Sequence, residues 1–561
     1  MSKLTKAQML GEQPLDIPRL PAVNVAIPSY SDIARAIVSH LPPYSIMRKA
    51  TGYVTVEEAA TTGDTPVCEP IATIPMSPDR FASWLEQFMI FTKGSGDDAK
   101  RCFPPDQVLR KVLYCDIFRR HALPLHLAFP VLLPVWDTTA TTGTRRITLA
   151  TPGYDPTSQC YFVETLPYTA DFKPRSPQVC RRIWLTLMHT FPFKADSPAE
   201  EEQLWLMPGA PTADVTSMSE EQRARWVRKG PHPCRNRSAV CCLALMLSQF
   251  CRRLFHGMLP MGLYSANQSG SGKSLLAWLC VAPVWGMPAG SSTPGSDDEM
   301  IKKLNAAIMN GEPYYILDDI PTLASKTINM VATTPTIKDR KLGGNEQFHE
   351  PNYLQLYATG NNLTTTPDIE RRSLIVDLFV SENAVGRDFG AATLTKERAC
   401  TPAWRADLLR FCLSLVLNWS EAGCPVLVKG SAKSSFEDFA EVVGSILVHN
   451  GFSSPFQARP ADASSGDLIG RTMEKFLARM VGEVMHNLGE STKTFSTTEL
   501  VDYARDMGYL LTLTGGKDAA RSLGRKLSAL RGRDFKDTQG RAFSFGKGED
   551  AGSSFYTFSL I

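Results

Sequence analysis

The chain has 561 residues, of which 43% are hydrophobic and 21% are charged, and its formal net charge is only +3. This composition is typical of folded globular domains and excludes a fibrous or largely disordered protein. Because the whole chain is nearly neutral, any surface that binds nucleic acid must be local. Thirteen cysteines without a C-x-x-C spacing, and no secretion signal, predict a cytoplasmic protein.

The N-terminal part of the sequence divides into two segments. Residues 1–45 contain six prolines and little hydrophobic periodicity, which predicts a tail or linker. Residues 46–236 mix strand-like and helix-like patterns and predict an accessory domain of mixed α+β structure. Within it, residues 76–91 have the apolar spacing of a helix, and Ser77 is placed to cap its first turn.

From residue 237 onward, apolar strands alternate with helices, which predicts a parallel-sheet α/β core over residues 237–400. Residues 401–467 read as a helical segment followed by a linker. Residues 468–561 are helical, then basic, and end in strand-like sequence. The uncharged run from 275 to 295 is interrupted by prolines, so we predict no membrane-spanning helix and no membrane partner.

The segment SGSGKS at 269–274 indicates a loop that binds phosphate. Such a loop directs backbone N–H groups at a phosphate from the start of a helix, while a lysine neutralises charge and a hydroxyl binds magnesium. The strict pattern has glycine where this chain has Asn267, a residue that tolerates left-handed backbone. A plain turn before a buried helix is the alternative. The predicted nucleotide-binding residues are Gly270, Ser271, Gly272, Lys273 and Ser274.

Three further signals follow the loop in order. The strand YYIL ends on Asp318 and Asp319, which could hold magnesium and orient a water molecule. A second strand, LYAT, leads to Asn361, whose amide could position that water. Arg372 follows and could reach the γ-phosphate of a neighbouring subunit. Each signal also has an ordinary explanation. The two aspartates could form a polar turn after a strand, and Arg372 could be a surface arginine paired with Asp368 or Glu370.

The order SGSGKS, ILDD, ATGNN, ERRSL resembles the AAA+ helicases of phages, plasmids and integrated mobile elements, which are related to superfamily 3 and poxvirus-type primase-helicases. PGYDPTSQCYF at 152–162 resembles the strand segment that precedes the motor in such proteins. Residues 435–452 resemble the helical segment after it, and residues 519–535 resemble the winged-helix tail. The resemblance spans about 150 to 561. It implies a multidomain α/β protein with an AAA+ P-loop ATPase core and a C-terminal winged-helix domain.

The resemblance also implies roles for individual residues and two cofactors, ATP and magnesium. The chain departs from the family pattern at two positions. Asn267 replaces the first glycine of the loop, and Asp319 stands where many AAA+ proteins have the longer glutamate. The implied roles are phosphate binding by Lys273, magnesium binding by Ser274 and Asp318, water activation by Asp319, the polar sensor at Asn361 with Asn362 as the alternative, and the arginine finger at Arg372 with Arg371 as the alternative.

Two basic segments are candidate DNA contacts. Residues 337–350 suggest a hairpin with its tip near Gly343, and the related helicases project such a basic hairpin into a central pore. In the C-terminal region, basic residues share a helix face opposite a leucine stripe, as in a helix that enters a DNA groove. A solvated loop and a basic structural subdomain are the alternatives. The predicted DNA-binding residues are Lys338, Arg340, Lys341, Arg521, Arg525 and Lys526.

Together these features predict a replicative DNA helicase that moves on single-stranded DNA as a ring, most simply a homohexamer, because an arginine acting in trans requires a head-to-tail interface. The partners would be single-stranded and forked DNA and a separate primase. Residues 46–236 contain no acidic pair suited to two metals, so we predict no primer synthesis by this chain. The alternatives are an ATP-switched initiator or loader that binds DNA without unwinding it, and a scaffold that retains the fold without the activity.

Overall fold

The structure is a computed structural model. It divides into two compact units, residues 1–319, 325–359 and 372–457 in the first, and residues 320–324, 360–371 and 458–561 in the second. The residues that it describes are 20–58, 70–94, 98–137, 145–169, 171–212, 214–287, 297–340, 347–380, 394–457, 468–485, 491–507, 509, 513, 519–530, 534–550 and 553–560.

In the N-terminal region of the first unit, the described residues form short strands and four α-helices. Strands pair in the orders β1-β5-β6, β4-β3-β2-β7 and β11-β12-β8, and β9 pairs with β10. The elements are β1 (Ala22–Asn24), α1 (Tyr30–His40), β2 (Met47–Lys49), β3 (Gly52–Glu58), β4 (Ile71–Pro75), α2 (Pro78–Leu85), β5 (Ile90–Lys93), β6 (Lys100–Arg101), α3 (Asp106–Leu113), α4 (Asp116–His121), β7 (Leu123–Pro124), β8 (Leu127–Phe129), β9 (Pro134–Trp136), β10 (Ile147–Leu149), β11 (Gly153–Asp155) and β12 (Cys160–Phe162).

Two predictions for this region need correction. Residues 22–40, predicted as part of a tail or linker, form β1 and α1, and α1 buries Ile33 and Ile37. The helix predicted over 76–91 starts as expected, since the Ser77 side chain accepts the Arg80 amide, but it ends at Leu85. The chain then forms β5, which pairs in parallel with β1. The helix is therefore shorter than predicted because residues 90–93 pair with β1, which lies in the segment predicted as a tail or linker.

The centre of the first unit is a four-stranded sheet in the order β16-β20-β15-β22. Strand β15 pairs with β22, and β16 pairs with β20, both in parallel, which confirms the predicted parallel α/β core. The elements between residues 177 and 378 are α5 (Pro177–Met188), α6 (Pro198–Glu201), β13 (Leu204–Leu206), α7 (Glu220–Trp226), β14 (Val227–Lys229), α8 (Arg237–Phe250), β15 (Met261–Ala266), α9 (Lys273–Trp285), α10 (Asp297–Asn310), β16 (Tyr314–Leu317), β17 (Thr322–Leu323), α11 (Lys326–Val331), β18 (Thr336–Arg340), β19 (Gln347–Pro351), β20 (Gln355–Asn361), β21 (Thr364–Thr365), α12 (Pro367–Arg371) and β22 (Ser373–Leu378).

Buried arginines fix two helices of this core. On α8, which is buried along its whole length, Arg237 pairs with Asp377 on β22 at 2.9 Å between Nη2 and Oδ2. Arg405 lies on α14 (Pro402–Glu421) and donates to the carbonyl oxygens of Ala282 and Val284, where α9 ends beside Pro283. The described part of the unit also contains the α-helices α13 (Lys396–Ala399) and α15 (Glu437–His449).

In the second unit, the C-terminal residues form helices and an antiparallel sheet in the order β23-β26-β25-β24. Its own apolar core includes Leu500, Leu523 and Tyr556. The assignment of this unit as a winged helix stays a prediction. The elements are α16 (Leu468–Met480), β23 (Thr492–Ser496), α17 (Thr497–Asp506), α18 (Ala519–Leu530), β24 (Phe535–Lys536), β25 (Ala542–Asp550) and β26 (Ser553–Leu560).

Among the helices in the described part of the chain, none has the length and apolar character needed to cross a bilayer. The cysteines in that part are free thiols, and most of them are buried.

Candidate nucleotide-binding site

The loop between β15 and α9 has the backbone that its glycines predict. Gly270 and Gly272 have φ values of 74° and 92°, in the left-handed region that favours glycine. At Gly272 the space is also restricted, because a Cβ atom there would lie 2.9 Å from Cε1 of Phe191. Gly272 precedes the first residue of α9, Lys273, and makes no side-chain cap. Neither position therefore accepts a larger residue without strain.

Asn267 occupies the position where the strict loop pattern has glycine, and its side chain explains the departure. Its Nδ2 donates to the carbonyl oxygen of Val380 at 2.8 Å, and its Oδ1 accepts the Val380 amide at 2.9 Å. Gln268 donates to the same carbonyl at 3.1 Å. Asn267 does not adopt positive φ, so its tolerance of left-handed backbone is not what the site uses. The side-chain amide of Asn267 instead connects the start of the loop, by hydrogen bonds, to Val380, two residues after the end of β22.

The loop contains two buried polar side chains. Lys273 is 7% exposed and Ser271 is 2% exposed. The Ser271 hydroxyl makes no hydrogen bond within the protein, although buried hydroxyls nearly always have a partner. The first amides of a 13-residue helix lie beside it without a side-chain cap, and such a helix start favours an anion. These features fit a phosphate group.

Asp318 follows β16 and receives two hydroxyl hydrogen bonds on Oδ1. Ser274 Oγ donates at 2.7 Å and Thr359 Oγ1 at 2.5 Å. Partial burial acts to raise the pKa of Asp318, but the bonds from Thr359 and Ser274, together with the charges of Lys396 and Lys273, hold it below its ordinary value. The serine of the loop and the carboxylate of β16 thus meet, and a hydroxyl beside an ionised carboxylate is a pairing suited to magnesium.

Asp319 is exposed and has an unusual backbone, with φ of 54°. Its amide donates to Thr359 Oγ1 at 3.0 Å. Left-handed backbone at a residue other than glycine costs roughly 1–2 kcal/mol and persists where the surroundings hold it. The hydroxyl of Thr359 therefore fixes both aspartates, through the side chain of Asp318 and the main chain of Asp319.

Two residues of this cluster were not predicted from the sequence. Thr359 is fully buried in the middle of β20, and the signal for it was a polar residue within an apolar strand. Lys396, at the start of α13, lies 4.0 Å from the centre of the Trp278 ring on α9, and its charge acts on Asp318. Nothing in the local sequence distinguishes Lys396 from a surface lysine.

The other residues predicted for catalysis have the following positions. Asn361 is the last residue of β20, and Asn362 turns the chain with φ of 47°. Arg371 ends α12 and pairs with Asp368 at 3.1 Å between Nη2 and Oδ1.

Arg372 lies immediately before β22, and its carbonyl oxygen accepts the amide of Met261, the first residue of β15. Because β15 and β22 run in parallel, Arg372 lies at the N-terminal ends of these strands, and the loop lies at their C-terminal ends. The six residues of β15 separate these two ends of the strands by about 20 Å. Arg372 is therefore not brought to the loop of its own chain.

The basic hairpin predicted between the core strands is present as β18 paired antiparallel with β19. Lys338 and Arg340 are exposed on β18. Asp339 lies between them and accepts a hydrogen bond from Asn305 on α10 at 2.7 Å, which anchors the hairpin. Lys341 and the predicted tip lie outside the described residues.

In the second unit, α18 presents Arg521 and Arg525 to solvent and buries Leu523 and Leu527, as predicted. Lys526 differs from the prediction, because its ammonium donates to the carbonyl oxygen of Leu513, and burial lowers its pKa. Lys526 is thus partly withdrawn from the exposed basic face.

Comparison with known proteins gives little further information. No family model matches the chain, and no curated protein matches it. Among solved structures it is similar to the apo A form of the C-terminal region of NrS-1, residues 305–718 of that protein, with 11% sequence identity and a TM-score of 0.34. The match covers 92% of this chain and 96% of that one. At this TM-score the similarity is weak, and the assignments below depend on the side chains of the site.

Proposed function

We propose that this protein is an ATP-driven DNA helicase of a mobile genetic element or phage-like replicon, with an AAA+ motor and a winged-helix C-terminal domain. The observation that carries the proposal is the hydrogen bond from Ser274 in the loop to Asp318 after β16. It joins the two motifs that would hold magnesium, although they are 44 residues apart in the chain.

Each residue of the cluster has a role that follows from its chemistry. Lys273 and the first backbone amides of α9 would bind the phosphates, and Ser274 and Asp318 would hold magnesium. Magnesium bound to the nucleotide would neutralise the negative charge of the phosphates. Asp319 would orient the attacking water, and Thr359 would keep both aspartates in place. Asn361 and Asn362 are the candidates for the polar sensor.

The helicase part of the proposal has separate support. Strand β20 lies between the loop strand β15 and the carboxylate strand β16, an order that suits an AAA+ motor. Arg372 is about 20 Å from its own loop, so as an arginine finger it would serve a neighbouring copy, and a closed ring would satisfy every copy. Lys338 and Arg340 on the exposed hairpin would contact DNA phosphates, as would Arg521 and Arg525 on α18.

The test combines two assays on the full chain. ATP hydrolysis is measured with and without single-stranded DNA, and strand displacement is measured on a tailed duplex. We expect DNA-stimulated hydrolysis and ATP-dependent displacement in the wild type, and loss of both activities in Arg372→Ala. Neither the adjacent Arg371, which is still present in this variant, nor added magnesium should restore wild-type levels. ATP-dependent DNA binding without displacement would instead identify an initiator or loader. Absence of hydrolysis would identify a scaffold.

A further inference from the structure

Helix α3, far from the motor motifs in sequence, has an apolar side and a basic side. Arg110, Lys111 and Tyr114 are exposed, and their spacing of three and four residues places them on one face. None of these residues contributes to the nucleotide site. The buried side consists of Leu109, Val112 and Leu113.

Two aromatic rings flank this helix and are almost fully exposed. Tyr114, just after its last residue, is 89% exposed, and Phe103, three residues before its first, is 84% exposed. These are the highest values for large apolar side chains in the described part of the chain. The eight residues of α3 span about 12 Å. Single exposed apolar residues are common, but two rings at the ends of one basic helix form a pattern.

A third ring extends the same face. Lys111 Nζ donates to the Tyr30 hydroxyl at 3.0 Å and lies 4.3 Å from the centre of the Tyr30 ring, a cation–π contact. Tyr30 begins α1, and its ring is partly exposed. The neighbouring Ser31 contacts Cys115 with 3.8 Å between Oγ and Sγ, so α1 is held against the end of α3 that carries Tyr114.

Arg119 on α4 is exposed and adds positive charge near the C-terminal end of α3, since its amide donates to the carbonyl oxygen of Cys115, the residue after Tyr114. The Tyr53 hydroxyl donates to the carbonyl oxygen of Leu113 at 2.7 Å. This hydrogen bond holds the C-terminal end of α3 against β3. Residues 98–121 contain six lysines and arginines and three aspartates. This short stretch therefore has the same net charge as the whole chain.

We propose that this aromatic–basic surface, formed by Tyr30, Phe103, Arg110, Lys111, Tyr114 and Arg119, binds single-stranded DNA. Bases would stack on Phe103 and Tyr114, and phosphates would contact the basic side chains. Charged groups separate the rings, whereas the centre of a protein–protein interface is depleted in lysine and has contiguous apolar area. The partner is taken from the proposed function, but the surface requires neither ATP nor the motor site.

The first test is the affinity of the full chain for fluorescently labelled oligothymidylate, measured by anisotropy without nucleotide. Tyr114→Ala and Phe103→Ala remove exposed rings and leave the core unchanged, and we expect each to weaken binding about tenfold. Tyr114→Phe keeps a ring and should bind like the wild type. Lys111→Gln should flatten the dependence of log affinity on log salt by about 0.7. Arg225→Gln, an exposed arginine outside the surface, is the charge control and should bind like the wild type.

The second test locates the DNA directly. An oligothymidylate containing 5-iododeoxyuridine is photocrosslinked to the full chain, and we expect crosslinks at Phe103 or Tyr114. Wild-type affinity in both alanine variants, crosslinks confined to other regions, or no DNA binding without nucleotide would each overturn the proposal. A protein partner that requires these rings while DNA does not would overturn it as well. None of these results affects DNA-stimulated ATP hydrolysis, so the two proposals fail separately.

Discussion

The candidate nucleotide site around Lys273, Asp318 and Thr359 and the aromatic–basic surface are built in opposite ways. In the cluster, Lys273 is buried and Asp318 is fixed by two hydroxyls. On the surface, the rings of Phe103 and Tyr114 project into solvent with little to restrain them. Catalysis requires groups that are already positioned before the reaction, whereas sequence-independent binding of a flexible strand requires exposed rings and charges. The difference in how firmly the side chains are held thus matches the difference in proposed task.

The strongest way to separate the two regions is Asp318→Asn. The amide keeps the shape and still accepts hydrogen bonds, but it lacks the charge that magnesium needs. We expect ATP hydrolysis to fall about 100-fold or more. Binding of oligothymidylate without nucleotide should not change. Asp298→Asn, in the exposed first turn of α10, is the matched control. Equal loss of both activities in Asp318→Asn would contradict the separation.

A finer test concerns Thr359, which touches both aspartates. Thr359→Val keeps the volume but removes the hydroxyl, and we expect hydrolysis to fall about 10–100-fold, as for other residues that orient a metal ligand. Loss of this hydrogen bond should raise the pKa of Asp318. Activity should therefore be lost at a higher pH as the solution is acidified. Thr359→Ser should restore the wild-type pH profile, and an unchanged profile in the valine variant would refute the role.

We expect the buried Arg405 to stabilise the parallel α/β core. Arg405→Ala removes the side-chain donor to the carbonyl oxygens of Ala282 and Val284, and this loss should cost about 1–3 kcal/mol in the free energy of unfolding, although Ala282 still accepts the Gly286 amide. Thermal denaturation measures the change. The exposed Arg182→Ala is the control. A melting temperature equal to that of the wild type would show that the buried arginine contributes nothing net to the core.

A pH-dependent effect on stability is expected at Lys49, whose Nζ donates to the carbonyl oxygen of Asn310. Burial lowers the pKa of Lys49 to about 8, below its ordinary 10.5. Between these values the unfolded chain binds the proton and the folded chain does not, so the Lys49 contribution to stability rises with pH. Lys49→Met should therefore melt above the wild type at pH 7, by an amount that shrinks toward pH 10. A difference independent of pH would disprove this.

The sequence predicted what local spacing determines and missed what tertiary contacts determine. The loop glycines, the Ser77 cap and the parallel core follow from short patterns and appear as expected. Thr359 and Lys396 become visible only when distant segments meet. Residues 22–40 looked like part of a tail because residues 1–45 contain six prolines and little hydrophobic periodicity, yet they pack against other elements. Exposure, which singles out Tyr114, cannot be read from residue type.

The most direct test of the account is the rate of magnesium-dependent ATP hydrolysis with and without single-stranded DNA, compared between the wild type, Lys273→Ala and the exposed control Lys302→Ala. The account predicts DNA-stimulated hydrolysis in the wild type and in Lys302→Ala. It predicts a loss of about 100-fold or more in Lys273→Ala, because the charge that faces the phosphates is gone. Hydrolysis that persists unchanged in Lys273→Ala would contradict the central claim.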